Sequence, residues 1–368
     1  MFDVVIIGAG IVGLAIARSI GETTNKSVLV IEKEESFGRG ISSRNSEVIH
    51  SGIYYKPGSL KAKYCTLGRD MVYDFCEKND IWYNRCGKLV VGRHHQSEEL
   101  NTLYKNGQEN DVPEIQIIDK TEINKLEPNI KADIALHVGC AVIISTHDLM
   151  AQFYKISQEN DHDYLFKSQI IDVRQVECGD ELNIENARGE IEKALSQWGI
   201  NAAGLESDLV AQMINEDSPS LRYSKGCYYK LSSKWRGAFE HLVYPLPDEK
   251  HGSLGIHLSF DETQMMRLGP SADWVDGKEE NYDVEEYLLD QFFSEGCQYI
   301  RGLEKEDLSP DYAGIRPKIW VDENPMPDFY ISHEKDKGYP GWINLIGIES
   351  PGLTSAIAIG EDIAYWIR

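Results

Sequence analysis

Residues 2–32 read FDVVIIGAGIVGLAIARSIGETTNKSVLVIE, and the order of residue types in this stretch decides the fold. Phe2–Ile7 is mostly β-branched and apolar, which is typical of a strand buried in a parallel sheet. A glycine-rich turn follows, then a helix over Leu14–Ile20, and then a second apolar strand over Ser27–Ile31. The stretch therefore predicts a βαβ unit that ends in an acidic residue, Glu32.

The glycine-rich turn has the spacing GxGxxG, with glycines at positions 8, 10 and 13. Gly8 permits the tight turn, Gly10 lets the backbone approach a pyrophosphate, and Gly13 lets the helix pack closely on the strand. The helix N-terminus supplies positive potential for phosphates, and Glu32 is placed to accept a hydrogen bond from a ribose hydroxyl. A purely structural turn is the alternative, but the strand before it, the helix after it and the acid 19 residues on favour a dinucleotide site.

The far end of the chain indicates which dinucleotide binds. Ile343–Ile348 is an apolar strand and Thr354–Ile367 a helix, so strand–helix units occur at both ends of the sequence. A nicotinamide enzyme usually completes its dinucleotide-binding domain early in the chain. A cofactor that extends through the protein and contacts both terminal units is more typical of FAD.

The same pattern predicts two lobes. The FAD-binding domain is expected to be discontinuous, over residues 1–80, 146–215 and 312–368. A substrate domain with an antiparallel sheet is expected over residues 81–145 and 216–311. Residues 310–318 are rich in Gly and Pro and are expected to form a loop.

The amino-acid composition and net charge restrict the kinds of molecule that the protein is expected to bind. The chain has 368 residues, of which 42% are hydrophobic, enough to fill a core. Lys and Arg number 37 and Asp and Glu 60, which gives a net charge of −23. Nucleic acid is therefore an unlikely partner, because phosphate binding needs a basic surface. An anionic substrate would need a local cationic pocket.

The cysteine pattern and the absence of targeting signals predict a cytoplasmic protein. The seven cysteines are scattered without a CxxC, which indicates reduced, mostly buried thiols and no metal site. Asp3 and the lack of a basic segment argue against a signal peptide. No apolar run reaches about 18 residues, so no integral membrane segment is expected. Transient access to a membrane quinone stays open.

Longer motifs resemble a known family. Residues 42–55, SSRNSEVIHSGIYY, and the following KPGSLKAK resemble the flavin loop of the L-2-hydroxyglutarate dehydrogenase/oxidase family, within the FAD-dependent D-amino-acid oxidase superfamily. Further matching segments are NAAG at 201–204, YP at 244–245, GIH at 255–257, LGP at 268–270, AGIRPK at 313–318 and GIESPGL at 347–353. The resemblance spans nearly the whole chain in order.

The resemblance implies an α/β (α+β overall) fold: a Rossmann-like FAD-binding domain of the glutathione-reductase type with an inserted antiparallel-sheet substrate domain. Its flavin loop, which is rich in small residues, would approach the ring and the pyrophosphate closely. The FAD-binding residues expected from motif and resemblance together are Gly8, Gly10, Gly13, Glu32, Lys33, Ser42, Ser43, Arg44, Asn45, Ser46, Val48, Ile49, Ala203, Gly204, Gly314, Arg316, Pro351, Gly352, Leu353 and Thr354. The FAD is expected to be non-covalent, because residues 317–345 contain no cysteine.

Two histidines and one arginine are the candidate chemical groups. His257 and His50 are the candidate bases, since a neutral imidazole suits proton removal from a hydroxyl group. Arg316 is the candidate carboxylate clamp, and a surface salt bridge is its alternative. Tyr55 and Tyr228 are expected to line the substrate pocket, although core packing would explain either equally well. A second cation for a dicarboxylate stays open among Arg44, Lys56, Lys61 and Lys318.

The reaction implied by the resemblance is FAD-dependent oxidation of a 2-hydroxy acid, L-2-hydroxyglutarate above all, to the 2-oxo acid. The alternative is a flavin amine oxidase that acts on glycine or sarcosine, and a flavin-binding protein without turnover is a third hypothesis. The electron acceptor is a quinone, a dye or O₂. Related sarcosine oxidases place an oxygen-activating lysine where this chain has Ser253, which favours a dehydrogenase.

Overall fold

The computed structural model describes residues 1–246, 255–275, 277 and 280–368. Within these residues the strands are β1 (Phe2–Ile7), β2 (Val28–Ile31), β3 (Val48–Ile49), β4 (Tyr83–Asn84), β5 (Lys88–Gly92), β6 (Ile115–Asp119), β7 (Ile134–Val138), β8 (Val142–Ile144), β9 (Asp163–Leu165), β10 (Ser168–Val176), β11 (Gly179–Asn186), β12 (Ile191–Asn201), β13 (Ser220–Leu231), β14 (Leu242–Pro245), β15 (His257–Phe260), β16 (Met266–Gly269), β17 (Asp273–Val275), β18 (Leu308–Val321), β19 (Asn324–Met326), β20 (Tyr330–His333) and β21 (Trp342–Ile346). The α-helices are α1 (Ile11–Thr23), α2 (Leu60–Lys78), α3 (Ser97–Glu109), α4 (Lys120–Leu126), α5 (Thr146–Glu159), α6 (Ser207–Gln212), α7 (Leu289–Tyr299) and α8 (Gly352–Trp366).

The first sheet has a parallel centre in the order β21-β12-β1-β2-β9. The antiparallel strands β10 and β11 extend it beside β12, and β20 pairs with β21. Strand β1 lies at the middle, where Val4, Val5 and Ile6 are fully buried. A continuous β-branched run suits this position because both faces of a central parallel strand are covered.

Helices α1, α5 and α8 share one hydrophobic core with this sheet. Helix α2 crosses α8 closely, since a Cβ on Gly68 would lie 2.1 Å from the Thr354 carbonyl oxygen. Any larger residue at position 68 would push the two helices apart. This crossing fixes the first turn of α8, which faces the candidate site.

The second sheet has the order β19-β18-β13-β16-β15-β14-β5-β7-β6, and β17 also pairs with β13. Its pairings are antiparallel except the one between β14 and β5. Strands β13 and β18 pair along nearly their whole lengths. A separate hydrophobic core lies against this sheet and includes Tyr229, Tyr244 and Phe292.

One expectation from the sequence needs correction. Residues 310–318 are not a loop, because they lie inside the unbroken strand β18. The Gly and Pro residues suggested a turn, but pairing with β13 satisfies the backbone and holds the segment extended. The domain boundary predicted at residue 312 therefore falls within a strand of the second sheet. The predicted fold class is confirmed: a Rossmann-like α/β unit carries an inserted sheet that is almost entirely antiparallel.

Candidate active site

One cavity of about 310 Å³ is lined by both large sheets and by both ends of the chain. Most of the predicted site residues line it: Gly8, Gly10, Glu32, Lys33, Ser42, Arg44, Asn45, Ser46, Val48, His50, Ala203, Gly204, Tyr228, His257, Gly314, Arg316, Pro351, Gly352 and Leu353. These residues come from eight separate segments, so only the fold brings them together.

Five predicted site residues do not line this cavity. Gly13 lies where α1 meets β1, and a Cβ there would lie 2.0 Å from the Gly8 carbonyl oxygen. Ile49 is fully buried in the core of the first sheet. Ser43 is exposed and donates to the carbonyl of Gly40. The buried Thr354 accepts from the His50 amide, and the Tyr55 hydroxyl lies 3.4 Å from Ser350 Oγ.

The glycine turn fits a dinucleotide. Gly8 has a positive φ of 104°, and a Cβ on it would lie 2.5 Å from the Ala202 carbonyl oxygen, so only glycine suits the position. The N-cap of α1 is Gly10, which supplies no side-chain cap, and no acidic residue occupies the first turn. The positive end of this helix therefore faces the cavity without a negative side chain of its own, as an anion-binding N-terminus requires.

Glu32 ends β2 at the edge of the cavity. Its carboxylate accepts from the amides of Ala9 at 2.7 Å and Glu34 at 2.9 Å. Burial raises the pKa of this carboxyl group, whereas the two amide hydrogen bonds act to lower it. Glu32 thus holds the glycine turn in place and has carboxylate lone pairs left to accept from ribose hydroxyls.

We expect Glu32→Ala to weaken FAD binding by roughly 10- to 150-fold, because it removes a charge-assisted acceptor worth about 1.5–3 kcal/mol. Fluorescence titration of the apoprotein with FAD measures the change. Glu35→Ala is the matched control, because this exposed acid lies on the same loop and its ion pairs among the described residues are with the exposed cations Arg39 and Lys167. Equal FAD affinity for Glu32→Ala and wild type would show that Glu32 has no contact with the cofactor.

The start of α8 faces the cavity beside a buried ion triplet. Glu349 accepts from Lys61 Nζ at 2.9 Å and from Lys318 Nζ at 2.7 Å. Burial opposes ionisation of Glu349, but the two ammonium groups outweigh it and lower its pKa. Lys61 and Lys318, two of the candidate second cations, are therefore held by Glu349. Of the other two candidates, Arg44 stacks on Tyr282 at 3.7 Å and Lys56 is exposed.

Arg316 extends from β18 into the cavity over Gly226 of β13. A Cβ on Gly226 would lie 2.4 Å from Arg316 Nη2, so the glycine makes room for the guanidinium. Arg316 Nη2 donates to the Ser271 carbonyl at 2.6 Å. None of the ion pairs among the described residues involves Arg316. Its remaining donors are therefore available to an anionic ligand.

The two candidate histidines line the same cavity. His257 Nδ1 lies 3.2 Å from the Gly255 carbonyl oxygen, which assigns the proton to Nδ1 and leaves Nε2 as an acceptor. His50 Nε2 lies 3.0 Å from Ser350 Oγ, and within the described residues its Nδ1 has no partner. Burial lowers the pKa of each histidine to about 3, so both imidazoles are neutral at pH 7.

These histidines make stability dependent on pH. Unfolded histidines titrate near pH 6.5, whereas His50 and His257 remain neutral in the folded protein down to about pH 3. The unfolded state therefore binds more protons as pH falls. We expect each histidine to reduce the free energy of unfolding by up to roughly 1.4 kcal/mol per pH unit below pH 6.5.

Urea unfolding at pH 6.5, 5.5 and 5.0 measures this slope. His257→Asn keeps a donor for Gly255 and is expected to show a smaller loss of stability per pH unit than wild type. His95→Asn, at an exposed surface position, is the control. The carboxyl groups contribute equally to the pH dependence of unfolding in all three proteins, so their contribution cancels when the slopes are compared. Identical slopes for all three proteins would contradict the burial of a neutral His257.

Sequence reasoning did not single out Glu349 and Ser350, which line the cavity, or Lys88, which is fully buried on β5. Glu349 and Ser350 lie within the matched segment 347–353 and could have been selected from it. Lys88 gave no such signal, because a single lysine in an apolar strand resembles a strand end facing solvent. Ser253 and Lys250, considered for oxygen reactivity, lie outside the described residues.

The fold and the cavity define a class of protein. The start of α1, Glu32 and the start of α8 line one cavity together with an arginine and two neutral imidazoles. This arrangement suits a flavin-dependent oxidoreductase. The family model described as DAO, FAD dependent oxidoreductase, matches residues 3–366, and the chain belongs to this family.

Similar proteins agree with this assignment. An Arabidopsis thaliana protein named L-2-hydroxyglutarate dehydrogenase, mitochondrial, is 33% identical over 98% of this chain and 82% of its own length. A bacterial L-2-hydroxyglutarate dehydrogenase from Indibacter alkaliphilus is 31% identical over 99% of this chain and 98% of its own length. The solved structure of L-alpha-glycerophosphate oxidase from Mycoplasma pneumoniae, with FAD bound, has a TM-score of 0.89 at 24% identity and covers 100% of this chain and 94% of its own. The last comparison shows the fold alone.

Location is a separate matter. Across the described residues, no helix combines the length and the apolar character needed to cross a membrane. The cytoplasmic location expected from the sequence stays a prediction.

Proposed function

We propose that this protein oxidises L-2-hydroxyglutarate to 2-oxoglutarate with FAD as the cofactor. The observation that carries the proposal is the meeting of Arg316 and two neutral imidazoles, His50 and His257, in the cavity that the dinucleotide motif also lines. The similarity to L-2-hydroxyglutarate dehydrogenases over nearly the full chain supports the choice of substrate.

The substrate carboxylate is proposed to bind Arg316. A planar guanidinium presents parallel N–H donors to both oxygens of a carboxylate, and this fixes the orientation of the adjacent carbon. Gly226 leaves the guanidinium unobstructed, and the hydrogen bond to Ser271 holds it in place. The adjacent C2 is thereby oriented for oxidation.

A neutral imidazole is proposed to take the hydroxyl proton. FAD, when bound, accepts the hydride that leaves C2. The C2–H electron pair departs with that hydride, the O–H bond breaks towards the imidazole nitrogen, and the oxygen lone pair forms the C=O bond of the 2-oxo acid. With its proton on Nδ1, His257 would accept the hydroxyl proton at Nε2, and His50 Nδ1 is a second candidate because it has no partner among the described residues.

The cofactor is proposed to lie along the cavity from Glu32 to the start of α8. The amides of the α1 N-terminus would bind the pyrophosphate, Glu32 the ribose, and the backbone at Pro351–Leu353 the flavin edge. Positive potential from the N-terminus of α8 suits an electron-rich reduced ring. No cysteine lines the cavity within the described residues, in keeping with a non-covalent cofactor.

Bleaching of flavin absorbance under anaerobic conditions tests the proposal. L-2-hydroxyglutarate is expected to reduce the holoenzyme, and its D-enantiomer, glycine, sarcosine and L-glycerol 3-phosphate serve as comparison substrates. Reduction by glycine or sarcosine alone would instead support the amine-oxidase alternative, which needs no strong base. Reduction by none of these compounds would refute both readings.

A further inference from the structure

A buried lysine lies on the face of the second sheet that carries His257, although its side chain does not line the cavity, and no described residue pairs with it. Lys88, on β5, is 0% exposed, and its Nζ has no hydrogen-bond partner among the described residues. That Nζ lies 4.6 Å from the centre of the Tyr244 ring and 5.1 Å from that of Tyr54. The hydroxyl groups of these two tyrosines also lack partners among the described residues.

The strand register places Lys88 on the same face as the proposed substrate site. Lys88 is paired with Leu242, and Tyr244 lies two residues further along the same face of β14. The Tyr244 ring stacks on His257 at 3.8 Å, and His257 is paired with Gly269, which Tyr228 contacts. Lys88 and Arg316 therefore lie on opposite sides of His257 across one face of the sheet.

None of the described residues neutralises Lys88. The titratable groups close enough to affect the pKa of Lys88 are the thiols of Cys140, Cys65 and Cys86. Burial raises the pKa of each thiol, so none of them supplies a negative charge at pH 7. Burial lowers the pKa of Lys88 to about 8, and an anionic ligand beside Nζ would favour the protonated ammonium. A buried cation without a partner destabilises a fold unless a ligand supplies the opposite charge.

We propose that Lys88 is the second cation of the substrate site and supplies the counter-charge for the distal carboxylate of a dicarboxylate, with the Tyr54 and Tyr244 hydroxyls as neutral donors beside it. The inference rests on the proposed function and adds the residue that selects a dicarboxylate over a monocarboxylate. It also explains why Arg44, Lys56, Lys61 and Lys318 are not needed for this role.

Binding of 2-oxo acids to the holoenzyme tests the proposal without turnover. Perturbation of the flavin absorbance gives Kd for 2-oxoglutarate and for 2-oxopentanoate, which has the same number of carbons but no distal carboxylate. Lys88→Met is expected to weaken 2-oxoglutarate binding at least about 30-fold, the low end for removing one partner of a buried charge pair, and to change 2-oxopentanoate binding less than about 3-fold. Tyr54→Phe is expected to act in the same selective direction, with a smaller change.

Two controls keep the result interpretable. Lys230→Met removes one positive charge from the exposed surface of β13 and is expected to leave both Kd values unchanged. Without ligand, Lys88→Met is expected to melt at or above the wild-type temperature, because an uncompensated buried charge is removed. Equal weakening of both oxo acids, or no change in either, would overturn the assignment.

The two proposals fail in different ways. If L-2-hydroxyglutarate does not reduce the flavin, the proposed function fails whatever Lys88 does. If it does reduce the flavin and Lys88→Met binds both oxo acids as wild type does, the proposed function stands and the role of Lys88 is refuted.

Discussion

Arg316→Ala is expected to lower kcat/KM for a 2-hydroxy acid by about 30- to 5000-fold. Removing one partner of a desolvated charge pair typically costs 2–5 kcal/mol, and the fold-change is that free energy read as transition-state stabilisation. The net charge of −23 strengthens the expectation, since the overall field repels anions and a fixed local cation must overcome it. Arg316→Lys should also lose activity, because it keeps the charge but lacks the paired donors.

A substrate amide distinguishes a role of Arg316 in binding the substrate carboxylate from a role in holding the local structure. An amide in place of the C1 carboxylate offers no charge to pair, so its smaller activity should fall much less in Arg316→Ala than that of the acid. Arg222→Ala on the neighbouring strand is the matched control, because its guanidinium packs on Trp320 at 3.6 Å and pairs with Glu323. Equal losses for acid and amide would mean that Arg316 serves only to hold Ser271 and the strand.

Loss of the catalytic base is expected to slow flavin reduction by about 10²- to 10⁴-fold. Both His50→Ala and His257→Ala should retain bound FAD, and the base is the histidine whose removal produces the large effect. The reason is chemical: without an acceptor for the hydroxyl proton, hydride departure would leave a protonated carbonyl. Stopped-flow reduction under anaerobic conditions measures the rate directly.

Isosteric variants identify the nitrogen involved. His257→Asn preserves a donor at the Nδ1 position for Gly255 and removes Nε2, whereas His50→Gln preserves a group at the Nε2 position for Ser350 and removes Nδ1. For the histidine that acts as the base, the isosteric variant should show flavin reduction as slow as that of the alanine variant. For the other histidine, the isosteric variant should reduce the flavin at about the wild-type rate. If neither histidine variant slows reduction, the histidine-base hypothesis fails and the amine-oxidase alternative gains support.

The sequence by itself determined the dinucleotide half of the site. Gly8, Gly10, Gly13 and Glu32 are close in the chain, and their spacing has one simple structural meaning once a strand precedes it and a helix follows. The discontinuous architecture was also predictable, because strand and helix patterns recur at both termini. A sequence pattern within one segment is enough to predict a structural feature when that feature depends on contacts between residues close in the chain.

Only the tertiary structure decided how the substrate half is arranged. Residues 310–318 look like a loop, yet pairing with β13 makes them a strand and directs Arg316 over Gly226. Lys61 and Lys318 are 257 residues apart in the chain, and only the fold holds both on Glu349. Lys88 resembles any strand lysine in the sequence, and only the fold buries its ammonium group beside the rings of Tyr54 and Tyr244. Burial and charge pairing depend on long-range contacts between segments, and a sequence pattern read within one segment does not contain them.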